Sequence, residues 1–390
     1  MSEVIISFCT KLNVKYTDEL IPYYNKGLAL FNKKDNYIVD KDRLITLNSK
    51  YKIFRKWLDS ILEACDAVAK DKDLLLFTYV LAAIIEKNAK PSMIGTPDFG
   101  DIATDFAPIF SLLYFLEDMI SNLESRKIPF DIISDTLNGF DTEIDSYYKI
   151  YGRPGVRTYV PWFLLFVRGE ILRVGSFQFQ MTTLRDKIKV YKKDDDVKIL
   201  IDGDFVHKKG MLHGSVNQND EEGKFFAQIT KDDEDIIGYC ANEFGECNNV
   251  PIRLKGYKEV LSCGDKILSV HIPSDAVLDA KSCNLSYEEA KRIFNKCYPE
   301  FNFKAIYCSS WLMEKRLKEI MGKETNITRF ADTYYTYPII SDGCDVYEYL
   351  FGLQTLGSID ELPENSSMQR AVKKYLAEGK YFYTKSGIII

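Results

Sequence analysis

The stretch ILRVGSFQFQ, residues 171–180, is the point at which the pattern of the chain changes. In an extended backbone its odd-numbered and even-numbered positions point to opposite sides. Phe177 and Phe179 then share one face, while Gln178 and Gln180 share the other. This period of two is typical of a strand, so we expect a β-containing domain to start here.

The chain before Gly169 has the spacing of helices instead. Apolar residues recur every three or four positions from residue 53 onward, which places them on one buried face. They are Ile53, Trp57, Ile61, Cys65 and Val68. Residues 106–123 and 131–151 predict two further helices. We therefore expect a helical N-terminal domain over residues 1–168 and a second domain over residues 169–390.

Strands and helices alternate in the second domain. Ser286 with Glu289, and again Ser366 with Gln369, have the spacing of a capping box at a helix start. The predicted strands are 267–272, 304–312 and 333–340, and the predicted helices are 286–298, 314–321, 345–353 and 366–378. This alternation favours a sheet layered with helices, so the predicted fold class is α+β, a helical domain followed by a mixed sheet flanked by helices.

The composition of the 390 residues excludes several classes of function. The 51 Lys and Arg against 57 Asp and Glu give a net charge of −6. That charge has the wrong sign for a broad nucleic-acid surface or for attraction to anionic lipid. The longest apolar run, residues 74–85, is far shorter than the roughly 20 residues of a membrane span. We therefore predict neither a nucleic-acid nor a membrane partner.

The cysteine pattern and the first residues of the chain bear on the cellular compartment in which we expect the protein. Nine cysteines are scattered without any C-x-x-C pair, which favours reduced thiols and argues against a zinc site. The beginning of the chain, MSEVIISFCTKLNV, lacks the basic segment and the long apolar stretch of a secretory signal. We expect a cytoplasmic protein that holds no metal.

The chain has three histidines, and each is a candidate for proton transfer. His207 and His213 lie in a polar segment, which predicts surface positions. His271 instead ends a predicted strand and is followed closely by Pro273, a residue that stops strand pairing. Because ligands gather beyond the carboxyl ends of strands in layered sheets, His271 is either a site residue or a hydrogen-bonded histidine at a strand end.

Two further clusters each leave two interpretations open. The run Cys308–Ser310 supplies candidate nucleophiles or proton donors, yet such residues also pack readily inside a strand. Ser366, Ser367 and Arg370 lie at a predicted helix start, where backbone amides, hydroxyls and a guanidinium suit a phosphate or a carboxylate. A plain helix cap at Ser366 explains the same residues without any ligand.

Five short motifs in chain order resemble a bacterial family of acyltransferase-domain proteins. They are Arg173–Phe179, Val270–Pro273, Cys308–Leu312, Asn326-Ile327 with Phe330, and Leu362-Pro363 leading into Met368–Ala371. In that family a helical N-acyltransferase domain precedes a domain with a GNAT-like fold, GNAT being the superfamily that moves an acyl group from coenzyme A to an amine. The resemblance covers most of the chain, most specifically from about Pro154 to its end.

The resemblance implies a sheet that is splayed open, with acyl-CoA or acetyl-CoA entering the split as co-substrate. It implies that the pyrophosphate of this co-substrate binds at the loop that follows His271. The candidate cofactor-binding residues are Pro273, Ser274, Asp275 and Ala276 in that loop, with Ser366, Ser367 and Arg370 at the helix start.

The chain departs from the family pattern at three places. The usual pyrophosphate signature, Q/R-x-x-G-x-G/A, is replaced after Ile272 by PSDAVL, which puts Asp275 where it would repel a phosphate. The resemblance also implies a histidine at the position of Ser309 and a glutamate at the position of Gln180. Two groups that could transfer protons are therefore absent from these positions.

The remaining candidates for proton transfer are His271 as the base and Ser310, Tyr307 or Tyr334 as the acid. They support a first hypothesis, an acyl-CoA-dependent N-acyltransferase that acts on a small-molecule amine. The departures support a second, a non-catalytic GNAT-like module that binds a ligand or a protein. A hydrolase that uses Cys308 or Ser310 as its nucleophile is a third.

Overall fold

The fold comprises two units, one made of Met1–Val174 with Pro273–Asp275 and the other of Gly175–Ile272 with Ala276–Ile390. They come from a computed structural model, which describes residues 2–33, 36–87, 95, 97–157, 160–322, 324–353 and 358–390.

The first unit is helical, apart from one short strand. Its helices are α1 (Ser2–Lys11), α2 (Ile21–Lys33), α3 (Lys41–Tyr51), α4 (Leu58–Lys70), α5 (Lys72–Glu86), α6 (Ile102–Leu113), α7 (Leu116–Ser125), α8 (Phe130–Leu137), α9 (Gly139–Tyr151) and α10 (Val160–Arg168), and its strand is β1 (Ile171–Val174). The predicted helices 106–123 and 131–151 are therefore each two helices, α6 with α7 and α8 with α9.

Helix α5 is the centre of the first unit. The whole apolar run Leu74–Ile85 is buried in it, as expected for a helix that is hydrophobic on all sides. Helices α2, α4 and α6 pack against it. Gly27 permits the contact with α2, because a Cβ atom there would lie 2.7 Å from the backbone of Val80. No helix among the described residues is both long and apolar enough to cross a membrane.

The second unit contains most of the strands and five helices of the described residues. In chain order its elements are β2 (Phe177–Thr183), β3 (Ile188–Lys193), β4 (Asp196–Ile201), β5 (Asp204–His207), β6 (Lys224–Ala227), β7 (Thr230–Asp232), β8 (Asp235–Cys240), β9 (Ile252–Leu254), β10 (Lys258–Ser262), β11 (Lys266–His271), α11 (Ala280–Cys297), β12 (Ala305–Ser310), α12 (Leu317–Met321), α13 (Asn326–Asp332), β13 (Tyr335–Pro338), α14 (Asp345–Phe351), α15 (Ser367–Ala377) and β14 (Lys385–Ile389).

Two sheets organise this unit. Strands β2, β11, β12, β14 and β13 lie side by side in that order, with β11 and β12 parallel and the other neighbours antiparallel. The second sheet has the order β10, β3, β4, β8, β7. A helical region followed by a mixed sheet with flanking helices confirms the predicted α+β class.

The two faces of the mixed sheet pack differently. One face packs against α11, where Tyr287 stacks on Phe177 with ring centroids 5.4 Å apart. The other face shares an apolar core with the second sheet, to which Ile267 and Ile388 contribute from the mixed sheet. We call these the helix face and the polar face, because the second turns polar towards the carboxyl end of β11.

Three predicted boundaries were wrong for local reasons. The stretch 171–180 is two strands, since Gly175 turns the backbone with a φ of +60° and Ser176 N donates to Ser286 Oγ at 2.9 Å. Helix α11 starts at Ala280 rather than at Ser286, because the carboxylate of Asp279 caps its first turn. The predicted strand 304–312 ends at Ser310.

Candidate functional site

The parallel strands β11 and β12 part before they end. Their last paired residues are Ser269 and Tyr307. Beyond that pair, β11 continues to His271 while pairing with β2, and β12 continues to Ser310 while pairing with β14. The sheet is therefore split between the carboxyl ends of its two parallel strands, the place where α/β sheets bind ligands.

The alternation of the strands decides which side chains border the split on the polar face. His271 lies opposite Gln178, Ser269 lies opposite Gln180, and Tyr307 pairs with Ser269. Paired residues point to the same side, and residues two apart along a strand do so as well. The polar face at the split therefore carries Gln178, Gln180, Ser269, His271, Tyr307 and Ser309.

His271 is held as a neutral imidazole. Its Nε2 lies 2.8 Å from Oε1 of Gln180, so an N–H on Nε2 donates to that oxygen and Nδ1 carries the lone pair. Burial lowers the pKa of His271 to about 4. The ring is thus in the unprotonated state that a general base needs at neutral pH.

Tyr307 belongs to a hydroxyl network on the same face. Its hydroxyl lies 2.9 Å from Oγ of Ser386, a residue that pairs with Tyr337 on its other side. Tyr337 donates in turn to the carboxylate of Asp186 at 2.7 Å. Burial raises the pKa of Tyr307 well above its usual range, so its phenol stays protonated at neutral pH.

Three sequence-predicted residues lie on the helix face instead. Ser310 follows the same alternation as Cys308, and its Oγ accepts from Leu312 N at 3.2 Å to cap a short 3-10 helix. Burial raises the pKa of the Cys308 thiol to about 12, which leaves it protonated and weakly nucleophilic. Tyr334 is buried, with its hydroxyl 2.8 Å from that of Tyr287. The structure thus brings His271 to the same face as Tyr307 but not as Ser310, Cys308 or Tyr334.

The loop residues predicted to bind the pyrophosphate fall in both units. Pro273, Ser274 and Asp275 belong to the first unit, and Ala276 belongs to the second. The Asp275 carboxylate accepts from the guanidinium of Arg173 at 2.9 Å. Its charge is therefore paired with a cation of the same unit.

The helix start at Ser366 has the capping interactions predicted from its sequence. Ser366 Oγ accepts from Gln369 N, and Gln369 Oε1 accepts from Ser366 N, each at 3.1 Å. Ser367 is the first residue of α15, and Arg370 donates to the carbonyl of Glu364 at 2.8 Å. These contacts account for the serine and the arginine without a ligand.

The prediction that His207 lies at the surface was wrong. Its side chain is fully buried, with Nε2 3.1 Å from Asp220 and Nδ1 accepting from Lys209 N at 3.2 Å. The polar neighbours that suggested exposure are its hydrogen-bond partners. His207 therefore holds the loop between β5 and β6.

Sequence reasoning missed Ser386 and Tyr337 as members of the polar network. Ser386 lies on β14, a strand that was not predicted, so no pattern pointed to it. Tyr337 lies on a predicted strand, but its contact with Asp186 spans 151 residues of sequence. Only the strand order β12, β14, β13 brings them together.

Comparison with known proteins gives two family matches. The model described as a GNAT-like C-terminal domain matches residues 171–389, and the model described as an N-acyltransferase N-terminal domain matches residues 43–169. No curated protein matches the chain.

Three solved structures share the fold. An acyltransferase mutant in complex with octanoyl-CoA has 17% identity and a TM-score of 0.61, covering 89% of this chain and 87% of that chain. An acyltransferase in complex with decanoyl-CoA and teicoplanin has 18% identity and a TM-score of 0.60, covering 88% and 86%. An acyltransferase in complex with CoA and 10C-teicoplanin has 17% identity and a TM-score of 0.59, with the same coverage.

Proposed function

Because this chain belongs to the family of proteins with a GNAT-like C-terminal domain, we propose that it is an acyl-CoA-dependent acyltransferase that acylates an amine of a small molecule. In this proposal residues 1–168 form the helical domain and residues 169–390 carry the reaction. The observation that supports it most is the split between β11 and β12, with His271 on its border.

The split suits the arm of a CoA thioester. Past Ser269 and Tyr307, the facing edges of β11 and β12 have no ladder partner in each other. Peptide groups at such an edge can bind an extended chain that itself carries amides, in the manner of an added strand. The pantetheine arm of CoA is a chain of this kind, and its thioester would lie near the strand ends.

The reaction then needs two proton transfers, for which the polar face has candidates. The amine nitrogen attacks the thioester carbonyl carbon, forming a C–N bond, and the C–S bond breaks as the CoA thiolate leaves. The nitrogen loses one proton to Nδ1 of His271, and the thiolate gains one from the phenol of Tyr307. The products are an amide and free CoA.

The ligands of the three similar structures agree with this substrate class. Those structures are described as an acyltransferase mutant in complex with octanoyl-CoA, and an acyltransferase in complex with decanoyl-CoA and teicoplanin or with CoA and 10C-teicoplanin. We infer that a CoA thioester is the co-substrate here, and that the amine acceptor is a compound which the split can admit beside it. The assignment of Pro273–Ala276 to the pyrophosphate stays a prediction from the resemblance.

The burial of Cys308 argues against the hypothesis of a hydrolase that uses this thiol as its nucleophile. A Cys308 nucleophile would have to ionise, and its raised pKa opposes that. The non-catalytic alternative rests on the departures from the resembled family pattern at Gln180 and Ser309. It predicts that CoA thioesters leave the melting temperature unchanged.

Binding of octanoyl-CoA is expected to be detectable by titration calorimetry at micromolar to millimolar concentration. The physical reason is the apolar and amide-rich arm, which the split strands can bind along its length. Octanoate without CoA serves as the matched control and should bind more weakly. Absence of heat with octanoyl-CoA at millimolar concentration would contradict the proposed function and leave the non-catalytic module.

A further inference from the structure

Gln178 has a buried side-chain amide that takes no part in the two proton transfers proposed for His271 and Tyr307. Its side chain is 4% exposed on the polar face, directly across the strand pair from His271. Within the described part of the chain, its amide makes no hydrogen bond, in contrast to that of Gln180. Its amide atoms are not among those that are sealed from solvent without a partner, so they keep some exposure to solvent.

Such an amide is costly in a folded protein unless something binds it. Buried polar groups are hydrogen-bonded in the great majority of cases, and an unpaired one loses the stabilisation that water gave it when unfolded. Two residues away, the side-chain oxygen of Gln180 has a hydrogen bond with His271. The unpaired state of Gln178 therefore points to a partner that comes from outside the chain.

The position of Gln178 indicates what that partner is. Directly opposite residues in an antiparallel pair have Cβ atoms about 4.5–5.5 Å apart, so the Gln178 amide and the His271 imidazole border one small volume. Acyl transfer needs two groups around the reacting carbon, one that takes a proton and one that donates to the oxygen as its charge develops. An imidazole and an NH2 group side by side meet both needs.

We propose that the side-chain NH2 of Gln178 donates a hydrogen bond to the carbonyl oxygen of the bound thioester and stabilises the oxyanion that forms on attack by the amine. The inference rests on the proposed function, because it requires a thioester at the split. It makes Gln178 a catalytic residue of that reaction and assigns no proton transfer to it. The C–O bond order falls as the C–N bond forms and is restored as the thiolate leaves.

Turnover provides the first test. Gln178→Leu removes the donor at similar volume, and Gln178→Glu replaces it with an acceptor. Loss of one oxyanion donor commonly costs about 10²–10³ in kcat. We therefore expect at least a tenfold loss of kcat in both variants, while the affinity for octanoyl-CoA falls by no more than about fivefold, the share of one hydrogen bond to the ground-state carbonyl. Thr182→Val, on the same strand and face but farther from His271, is the control and should retain wild-type turnover. Turnover of Gln178→Leu equal to that of Thr182→Val would overturn the inference.

Binding measured in the absence of an amine acceptor provides a test that needs no turnover. S-octyl-CoA is a thioether that lacks the carbonyl oxygen of octanoyl-CoA. We expect the wild-type protein to bind the thioester more tightly than the thioether, by about fivefold, and Gln178→Leu to bind both alike. Equal binding of both by the wild type would overturn the Gln178 assignment and leave the proposed function intact. Failure of both compounds to bind would overturn the function and the assignment together.

Discussion

The His271→Ala variant is expected to lose about 100-fold in turnover of octanoyl-CoA with a primary alkylamine. A positioned general base typically contributes 10²–10⁴-fold, and His271 is the imidazole that the polar face places at the split. Release of CoA thiol, followed with a thiol reagent over a panel of amines, measures this loss. His213→Ala, which removes a histidine outside the site, is the matched control and should retain wild-type rates.

The acid side of the pH–rate profile should identify the same group. His271 acts as a base only when unprotonated, and burial lowers its pKa to about 4. The wild-type kcat/KM for octanoyl-CoA, at a constant concentration of unprotonated amine, should therefore hold down to about pH 5 and fall as the pH drops through about 4. An acid limb near the ordinary imidazole value of about 6.5 would contradict the lowered pKa of His271, and a His271→Ala rate equal to wild type would exclude His271 as the base.

The Lys385→Met variant is expected to be destabilised by about 3–5 kcal/mol, because it leaves a buried charge without its partner. Lys385 and Glu314 are both fully buried, and Nζ lies 3.0 Å from the carboxylate of Glu314. Nζ also donates to the carbonyl of Phe244 at 2.7 Å. Methionine keeps much of the side-chain volume, so the expected loss comes from the uncompensated carboxylate.

Urea denaturation of three variants separates that charge effect from packing. The double variant Lys385→Met with Glu314→Leu removes both charges and should recover a large part of the loss. Lys11→Met breaks an exposed pair with Asp73 and should change the free energy of unfolding by no more than about 1 kcal/mol. A Lys385→Met protein as stable as the wild type, or a double variant less stable than the single one, would contradict this account of the pair.

The fold class could be predicted because its signals are local. Apolar spacing of three and four residues indicated the helical half, and strand–helix alternation after residue 260 indicated the layered sheet. Strand β14 (Lys385–Ile389) escaped prediction, although it supplies the ladder between β12 and β13. Its insertion depends on pairing across some 80 residues of sequence, as between Ser309 and Ser386, which no local pattern records.

The candidate site was predicted in part. His271 stood out because a polar residue ended an apolar strand, and the structure places it on the border of the split. Ser310 was a candidate for the acid that acts with His271, but alternation along β12 puts Ser310 on the helix face. The sequence did not predict Gln178 as a site residue, because its burial and the absence of a hydrogen-bond partner for its amide arise only in the folded sheet.

The most direct test of the proposed function is a crystal structure of the protein with S-octyl-CoA, which cannot transfer its chain. The account predicts that the pantetheine arm lies between β11 and β12 beyond Ser269 and Tyr307, with the sulfur near His271 and Gln178. When octanoyl-CoA is superposed on the bound S-octyl-CoA, its carbonyl oxygen should lie within hydrogen-bonding distance, about 3 Å, of the Gln178 amide. A CoA arm bound elsewhere, with the split strands unoccupied, would contradict the account.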